Sequence, residues 1–463
     1  MKLTREEMLA TLGSRDPAHN GKFIIGVLST GIYCLPSCHA RTPKPENVHF
    51  FENGVAAEAA GLRPCKKCRP DEFERGENQE LDSLEGLVAS MRRDPAAYAC
   101  VPDLADALSV GPTKLHELFR IHYHATPGEM LSQARLDKAK HRLLSTDEGI
   151  AQTAYEVGFE SLSVFNDNFK RRLGLTPSEY RSLPAAEEFA VQLPSGYHIE
   201  GFARSFGRDP QSPTERLDNR SACLVTPNKA LVSFELGDPV RVRTAKGSGV
   251  DAYETLYRVL GLSQEPKAFE QIAVEKGFHR LVEDRSGTRI PQTLSLFDGL
   301  VWAIVGQQIN LPFAFALRRR LFEKYGEPAG NGLYATPTPE RLADLDPEDL
   351  LLLQFSRRKA EYVTGVARLG WEWLQALEGM SFTRAYVKLT QTHGLGVWSA
   401  NYILMRSLGF PDCVPYGDTG LSSGLVGLYD LAHKPDRKEI ERLMEPFSPY
   451  RSFATYHLWQ SMK

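Results

Sequence analysis

Residues 31–71 read GIYCLPSCHARTPKPENVHFFENGVAAEAAGLRPCKKCRPD and hold four of the chain's seven cysteines in two tight pairs, Cys34/Cys38 and Cys65/Cys68. A C-x3-C pair followed at a distance by C-x2-C supplies four thiolates, a soft donor set suited to tetrahedral Zn2+. Ahead of the first pair, Phe23 to Leu28, then Thr30-Gly31, then Ile32-Tyr33 predict a strand, a turn and a second short strand. Glu52 to Ala60 predicts a short Ala-rich helix ended by Gly61. A unit of residues 1–75 has little core, so a metal would act as its staple. From spacing alone the four cysteines read as a structural zinc clip. Arg41, Lys44, Arg63, Lys66, Lys67 and Arg69 crowd them, however, and cations there favour thiolate and offer a face for phosphate.

Outward from this stretch, the chain has 463 residues, too many for one ordinary core, with the 42% hydrophobic and 24% charged content of a globular protein. No apolar run is long enough to span a bilayer and the first residues do not lead into a signal peptide, so no membrane partner and a cytoplasmic location are expected. An odd cysteine count argues against a disulfide framework. The scattered Cys100, Cys223 and Cys413 read as buried free thiols. A formal net charge of −3 is no global nucleic-acid signature, so any DNA contact must come from local patches.

Residues 80–184 carry helical patterns. Asp103 to Leu108, a break at Gly111, and Pro112 to Arg120 form one helix-turn-helix candidate; Ile150 to Phe159 and a helix from Ser161 to Arg172 form another, with Gly158 at its turn. Helical spacing assigns Val164, Phe165, Phe169 and Leu173 to the core and Ser161, Ser163, Asn166, Asp167 and Lys170 to solvent. From 187 to 250 short apolar/polar alternations, such as Ala230 to Leu236, predict an antiparallel sheet platform. Residues 251–463 are helical again, and Leu296 to Ile309 reads as a helix buried all round. Gly394-Leu395-Gly396 opens a helix, a geometry that aims backbone N–H groups at an anion. Asp418, before another helix, is by default an N-cap. The expected fold is a multidomain α+β chain: a small zinc α/β unit, an all-α double helix-turn-helix, and a sheet platform with a helical domain.

Two pairs of segments, STGIYCLPSCHARTPKPENVHFF with AAGLRPCKKCRPDE, and TPGEMLSQARLDKAKHRLL with IAQTAYEVGFESLSVFNDNFKRRLGLTPSEYR, carry family resemblances. The first pair resembles the N-terminal domain of Ada-type adaptive-response proteins, and the second the AraC-type module that follows it in that family. The resemblance implies Zn2+ on Cys34, Cys38, Cys65 and Cys68, with Cys34 also the irreversible acceptor of a methyl group from a DNA methylphosphotriester. Loss of one negative charge on methylation would raise affinity for DNA, turning repair into a signal. It also implies helix-turn-helix DNA contacts from Lys114, His116, Ser161, Ser163 and Asn166, promoter DNA as a partner, and RNA polymerase as a further one. The Pro-Cys-His-Arg site of an alkylguanine transferase is absent, so that activity is not expected.

Instead, the segment from Phe189 onward, through the Gly394/Gly396 hairpin, Asp418 and SPYRSFATYHLW near the end, resembles the helix-hairpin-helix DNA glycosylases, most closely AlkA-type 3-methyladenine enzymes. The resemblance implies Asp418 as catalytic carboxylate, Trp398, Tyr402 and Trp459 around the base, phosphate binding at Gly394 and Gly396, and Gln308 as the wedge replacing the extruded base. Trp398 stands where relatives with lyase activity carry lysine, so a monofunctional hydrolase acting on alkylated double-stranded DNA is expected. Three positions depart from the family: His393 replaces a common proline, Gln308 is a polar wedge, and Gly417 and Thr419 flank Asp418. Two other readings stand beside this one: a glycosylase whose N-terminal half only tethers it to DNA, and a regulator with an inactive glycosylase domain.

Overall fold

The computed structural model describes residues 3–14, 19–38, 40–74 and 78–461. Its chain divides into two compact units, Met1–Gly86 and Leu87–Lys463.

The first unit begins with α1 (Arg5–Ser14) and a sheet of β1 (Ile24–Val27), β2 (Ile32–Cys34), β3 (Val48–Phe51) and β4 (Arg63–Pro64), in the order β3-β1-β2-β4. The first two are the expected strand pair, with Ile25 opposite Cys34. β3 and β4 are additional, and β4 runs parallel to β2 so that the second cysteine pair arrives beside the first. Helix α2 (Gly54–Ala59) starts later than the expected Glu52, is capped by Asn53 and is followed, as expected, by Gly61 at φ 83°. Its buried apolar groups include two small clusters, Ile24, Tyr33, Leu35, Ala57, Leu62 and Phe23, Ile25, Val48.

In the second unit, α3 (Val101–Leu108) and α4 (Pro112–Tyr123) form the first hairpin. Its reversal falls on Ser109, at φ 55°, and Gly111 is the N-cap of α4 rather than the break itself. Cys100, expected buried, is exposed at the N-cap of α3, and Cys223 is half-buried; only Cys413 of the three is fully enclosed. The connecting α5 (Pro127–Ser145) starts with a Thr126/Glu129 capping box. The second hairpin is α6 (Ile150–Glu156) and α7 (Leu162–Leu173), with Gly158 at φ 91° between them, then α8 (Pro177–Ser182). Phe165, Phe169 and Leu173 are buried, but Val164 is 52% exposed. At about 100° per residue Val164 points roughly 140° away from Phe169, whereas Leu162 falls on the packed face.

Five antiparallel strands follow, β5 (Glu188–Val191), β6 (Glu215–Asp218), β7 (Ser221–Val225), β8 (Leu231–Glu235) and β9 (Val240–Arg243), in the order β5-β9-β8-β7-β6. The platform also contains a helix the alternation did not reveal, α9 (Ile199–Phe206). Val232, Phe234, Val240 and Val242 face inward, with Ser233, Glu235, Arg241 and Arg243 outward, the period-two pattern of a one-sided sheet.

Although the sequence changes character at 183–188, the core does not. Phe165, Phe169, Leu173 and Tyr180 belong to one buried cluster with Val191, Leu224, Val232 and Phe234 of the sheet and Tyr253 and Leu256 of α10 (Gly249–Val259). A run of aromatic edges crosses the junction: Phe165–Phe169 at 5.5 Å, Phe169–Tyr180 at 5.8 Å and Tyr180–Tyr253 at 5.4 Å between ring centroids. Glu254 accepts from Lys140 at 2.9 Å and from Tyr180 at 2.8 Å. Gly249 lies so close under the carbonyl of Leu183 that an added Cβ would stand 2.1 Å from its oxygen.

The remaining helices that matter here are α11 (Leu296–Val305), α12 (Leu311–Tyr325), α13 (Arg357–Ala367), α14 (Phe382–Gln391), α15 (Val397–Arg406), α16 (Thr419–Tyr429) and α17 (Arg451–Ser461). α11 is buried nearly all round, as expected, but ends at Val305, leaving Gln307 to Ile309 in a turn. Its one acid, Asp298, is 5% exposed and accepts from the buried Arg318 at 3.0 Å. The first helix-turn-helix is also anchored to this half. His122 Nδ1 lies 2.8 Å from Thr383 Oγ1, the His124 ring lies 4.1 Å from Phe382 at a tilt of 38°, and Arg92, upstream of the hairpin, donates to the Gly379 carbonyl at 2.8 Å.

Candidate functional site

In the first unit, β2 delivers Cys34, the turn after it Cys38, and the turn after β4 Cys65 and Cys68. The four sulfurs lie within 4.8 Å of one another, with Cys38 and Cys65 at 3.9 Å. Four Zn–S bonds of ~2.3 Å at tetrahedral angles require S···S near ~3.8 Å, so the quartet is positioned to bind a metal ion. Backbone N–H groups of Leu35, Ala40 and Lys67 point at Cys68, Cys38 and Cys65, each at 3.4 Å, as suits negatively charged sulfur. Four thiolates this close repel one another, and a divalent ion held by them would let all four carry charge together. Cys34 and Cys65 are buried, whereas Cys38 and Cys68 are half-buried. Arg41, Arg63, Lys66 and Lys67 are exposed nearby in the chain; Lys44 and Arg69 pair with Glu46 and Glu72.

On the helix-turn-helix module, His116 of α4 and Ser163 of α7 are exposed, and Lys114 and Asn166 are half-buried. Ser161 is the N-cap of α7, with its hydroxyl 3.5 Å from the Val164 N–H. The same helices spend their opposite faces on the core.

The third constellation lines a cavity of about 490 Å3, within the ~300–1,000 Å3 typical of small-molecule sites. α15 places Trp398 and Tyr402 one turn apart, with ring centroids 5.3 Å apart and planes 22° from parallel. α17 brings Trp459 to 6.2 Å from Tyr402. Asp418 is indeed the N-cap of α16, accepting from the Leu421 N–H at 2.8 Å. Capping is only part of its bonding. Its Oδ2 accepts from Trp398 Nε1 at 3.0 Å and its Oδ1 from Trp459 Nε1 at 2.9 Å. Three donors fill three of the roughly four acceptor positions of a carboxylate and fix its orientation, leaving one toward the cavity it lines.

The cavity also takes Phe206 from the sheet domain, Trp302 and Phe315 from α11 and α12, and Arg406. None of these four lies in a sequence motif that marks it as a site residue. Trp302 stacks on Phe315 at 5.5 Å, and Arg406 lies 5.8 Å from the Tyr402 ring centre. The available signal was Trp302 itself, a large amphipathic ring on a helix whose only other polar side chain is the buried Asp298.

Beside the cavity, Gly394 has φ 90°, and a Cβ there would stand 2.4 Å from Tyr362, so only glycine fits. Gly396 is the N-cap of α15 and faces open space. Gln308 is exposed at φ 53°, and its neighbour Ile309 lines the cavity. Among the described residues no helix is long and apolar enough to cross a membrane.

Three family models match this chain: the metal binding domain of Ada over residues 7–71, a helix-turn-helix domain over 104–182, and the HhH-GPD superfamily of base excision DNA repair proteins over 301–449. A probable bifunctional transcriptional activator/DNA repair enzyme AlkA of Mycobacterium tuberculosis is 28% identical over 99% of this chain and 96% of its own length. The bifunctional transcriptional activator/DNA repair enzyme AdaA of Bacillus subtilis is 31% identical over 40% of this chain and 87% of its own length. In fold, a 3-methyladenine DNA glycosylase from Archaeoglobus fulgidus covers 59% of this chain and 97% of its own, with a TM-score of 0.53 at 20% identity. With all three domains in one polypeptide and relatives that match it from end to end, the chain belongs to the Ada/AlkA family of bifunctional proteins, joining an Ada-type metal-binding domain and a helix-turn-helix module to a DNA glycosylase domain.

Proposed function

We propose that this protein excises alkylated bases such as 3-methyladenine from double-stranded DNA by hydrolysis, and separately takes a methyl group from DNA methylphosphotriesters onto Cys34. The observation carrying the first activity is Asp418, oriented by two indole N–H groups at the edge of an aromatic cavity. A base made cationic by N-alkylation gains from the faces of Trp398, Tyr402 and Trp459 once it leaves the stack. It is already a good leaving group. Asp418 then stabilises the oxocarbenium-like sugar, or orients the attacking water, as the N-glycosidic bond breaks.

The hairpin at Gly394 and Gly396 holds a backbone phosphate with N–H groups at the start of α15, and Gln308 fills the gap left by the base. Among the described residues no lysine lines the cavity, which supports a monofunctional hydrolase without a lyase step. The test is release of 3-methyladenine from alkylated DNA by the full-length protein. Asp418→Asn should lower release by at least about 100-fold, while the cap on α16 survives because asparagine also caps. Full release by that variant would end the assignment.

For the second activity, the Cys34 sulfur attacks the methyl carbon, a C–S bond forms, the C–O bond to phosphorus breaks, and a phosphodiester leaves. Held by Cys34, Cys38, Cys65 and Cys68, a metal ion would favour the thiolate form of that sulfur at neutral pH. The thioether is stable, so each molecule acts once. Loss of one negative charge then strengthens the hold on DNA, and Lys114, His116, Ser161, Ser163 and Asn166 read a promoter, with RNA polymerase as the recruited partner and the cytoplasm as the location. Mapping label from methylphosphotriester DNA to Cys34, and finding tighter promoter binding by the methylated protein, would support this half. Equal affinity would leave repair without regulation.

A further inference from the structure

Between α11 and α12 the chain turns through Gly306, Gln307, Gln308, Ile309 and Asn310. Gln308 sits in the left-handed region at φ 53°, a conformation a side chain adopts at some cost and keeps only when its surroundings hold it. Those surroundings are specific. Lys359, 8% exposed, donates Nζ to the Val305 carbonyl at 2.6 Å and so closes the end of α11. Asn310 Oδ1 accepts from the Phe313 N–H at 3.0 Å and fixes the start of α12. From the middle of the turn, the Gln307 carboxamide crosses to the hairpin, where Nε2 donates to the Gly394 carbonyl at 2.8 Å and to Ser399 Oγ at 3.1 Å. Both amide hydrogens are thereby used, one on the hairpin and one on the first turn of α15. On the other side, Tyr362 packs against Gly394, one turn along α13 from Lys359. A single helix thus supports both the turn and the hairpin, and one side chain ties them together.

We propose that Gln307 is a positioning residue that locks the Gln308 turn to the Gly394–Gly396 hairpin, so that gripping a DNA phosphate also sets Gln308 against the base pair being opened. This rests on the glycosylase reading above, including the roles given to the hairpin and to Gln308. A wedge on a free loop would have to find the gap after the backbone is bound. Here the hairpin carbonyl and the wedge turn move as one piece, and the ordering cost is met in folding rather than on DNA. Gln307 touches no reacting atom; its effect passes through Gln308.

The test uses the full-length protein and two readouts. One is single-turnover release of 3-methyladenine from alkylated duplex. The other, independent of chemistry, is the ratio of affinities for a duplex carrying a tetrahydrofuran abasic analogue and for the same duplex undamaged, since only the former offers a gap to fill. Gln307→Glu keeps the shape but presents two acceptors to the Gly394 carbonyl. It should lower release by about tenfold or more and erase the abasic preference, with affinity for undamaged duplex within about threefold of wild type and a single cooperative melting transition retained. Because Gln307 acts through Gln308, adding Gln307→Glu to Gln308→Ala should change neither readout beyond Gln308→Ala alone. A Gln307→Glu protein with wild-type release and abasic preference overturns the proposal. So does a double variant whose losses multiply. Asp418→Asn separates the two levels: if it retains full release the glycosylase reading fails by itself, whereas the affinity ratio still judges Gln307.

Discussion

The cysteine unit and the helix-turn-helix module are neighbours in sequence and opposites in construction. Around Ile24 and Tyr33 two small apolar clusters support a four-stranded sheet, and the four sulfurs at its edge do what a core would otherwise do. Around Phe165 and Phe169, by contrast, the module borrows its core from the glycosylase sheet and α10, without metal. A match to a separate family model therefore says little about what keeps a segment folded. The first unit carries a donor set for an ion beside its small core, and the second shares the core of its neighbour.

The harshest way to break this comparison is to remove the metal. A strong chelator, or Cys65→Ser, should unfold residues up to about 86 and leave the larger unit intact, since binding of such an ion contributes on the order of 10 kcal/mol or more to a small domain. Limited proteolysis together with 3-methyladenine release reads both halves at once. Loss of excision in parallel with the zinc unit would refute the separation.

Next in size is Phe165→Ala. Deleting a fully buried ring at the junction should cost about 3–5 kcal/mol, and the cost should fall on the module and the glycosylase together. Calorimetry of the variant should show one transition lowered, with excision lost at that same temperature. Two separated transitions would mean that the shared core is not cooperative. Glu254→Ala is milder. It strips Lys140 and Tyr180 of their common acceptor and should cost about 2 kcal/mol, measured by denaturant titration.

The smallest effect is on acid stability. Burial holds the imidazole of His457 down, from 6.5 to about 4, and does the same to His124 at the contact with α14. Between these values the unfolded chain binds protons that the folded chain refuses. Stability is therefore complete above pH 6.5 and declines as the pH falls towards 4, by about 1 kcal/mol at pH 5.5 for His457. His457→Asn should flatten that part of the melting-temperature profile. The cysteine unit should fail in acid for another reason, because protons compete with the metal for its sulfurs.

Most of the individual parts were legible from local order in the sequence. Cysteine spacing placed the metal quartet, Gly158 and Gly394 sit at positive φ, and Asp418 stands at its helix start. What local order could not supply was anything joining distant segments. Phe206, Trp302 and Arg406 meet in one cavity from three parts of the chain, and Gln307 reaches the hairpin across 87 positions. The misassignment of Val164 is of another kind: it was grouped with Phe165, Phe169 and Leu173 as one helical face, whereas its five-residue offset from Phe169 turns it into solvent.

The core shared across the 183–188 junction is completed late in synthesis. When the second helix-turn-helix leaves the ribosome, the strands and helix that will cover Phe165, Phe169 and Tyr180 have not been made. Roughly 80 more residues must emerge, which at ~5–20 residues per second takes on the order of ten seconds. During that interval the nascent module shows its aromatic row to the cell, and a chaperone has a defined surface to hold until the sheet arrives.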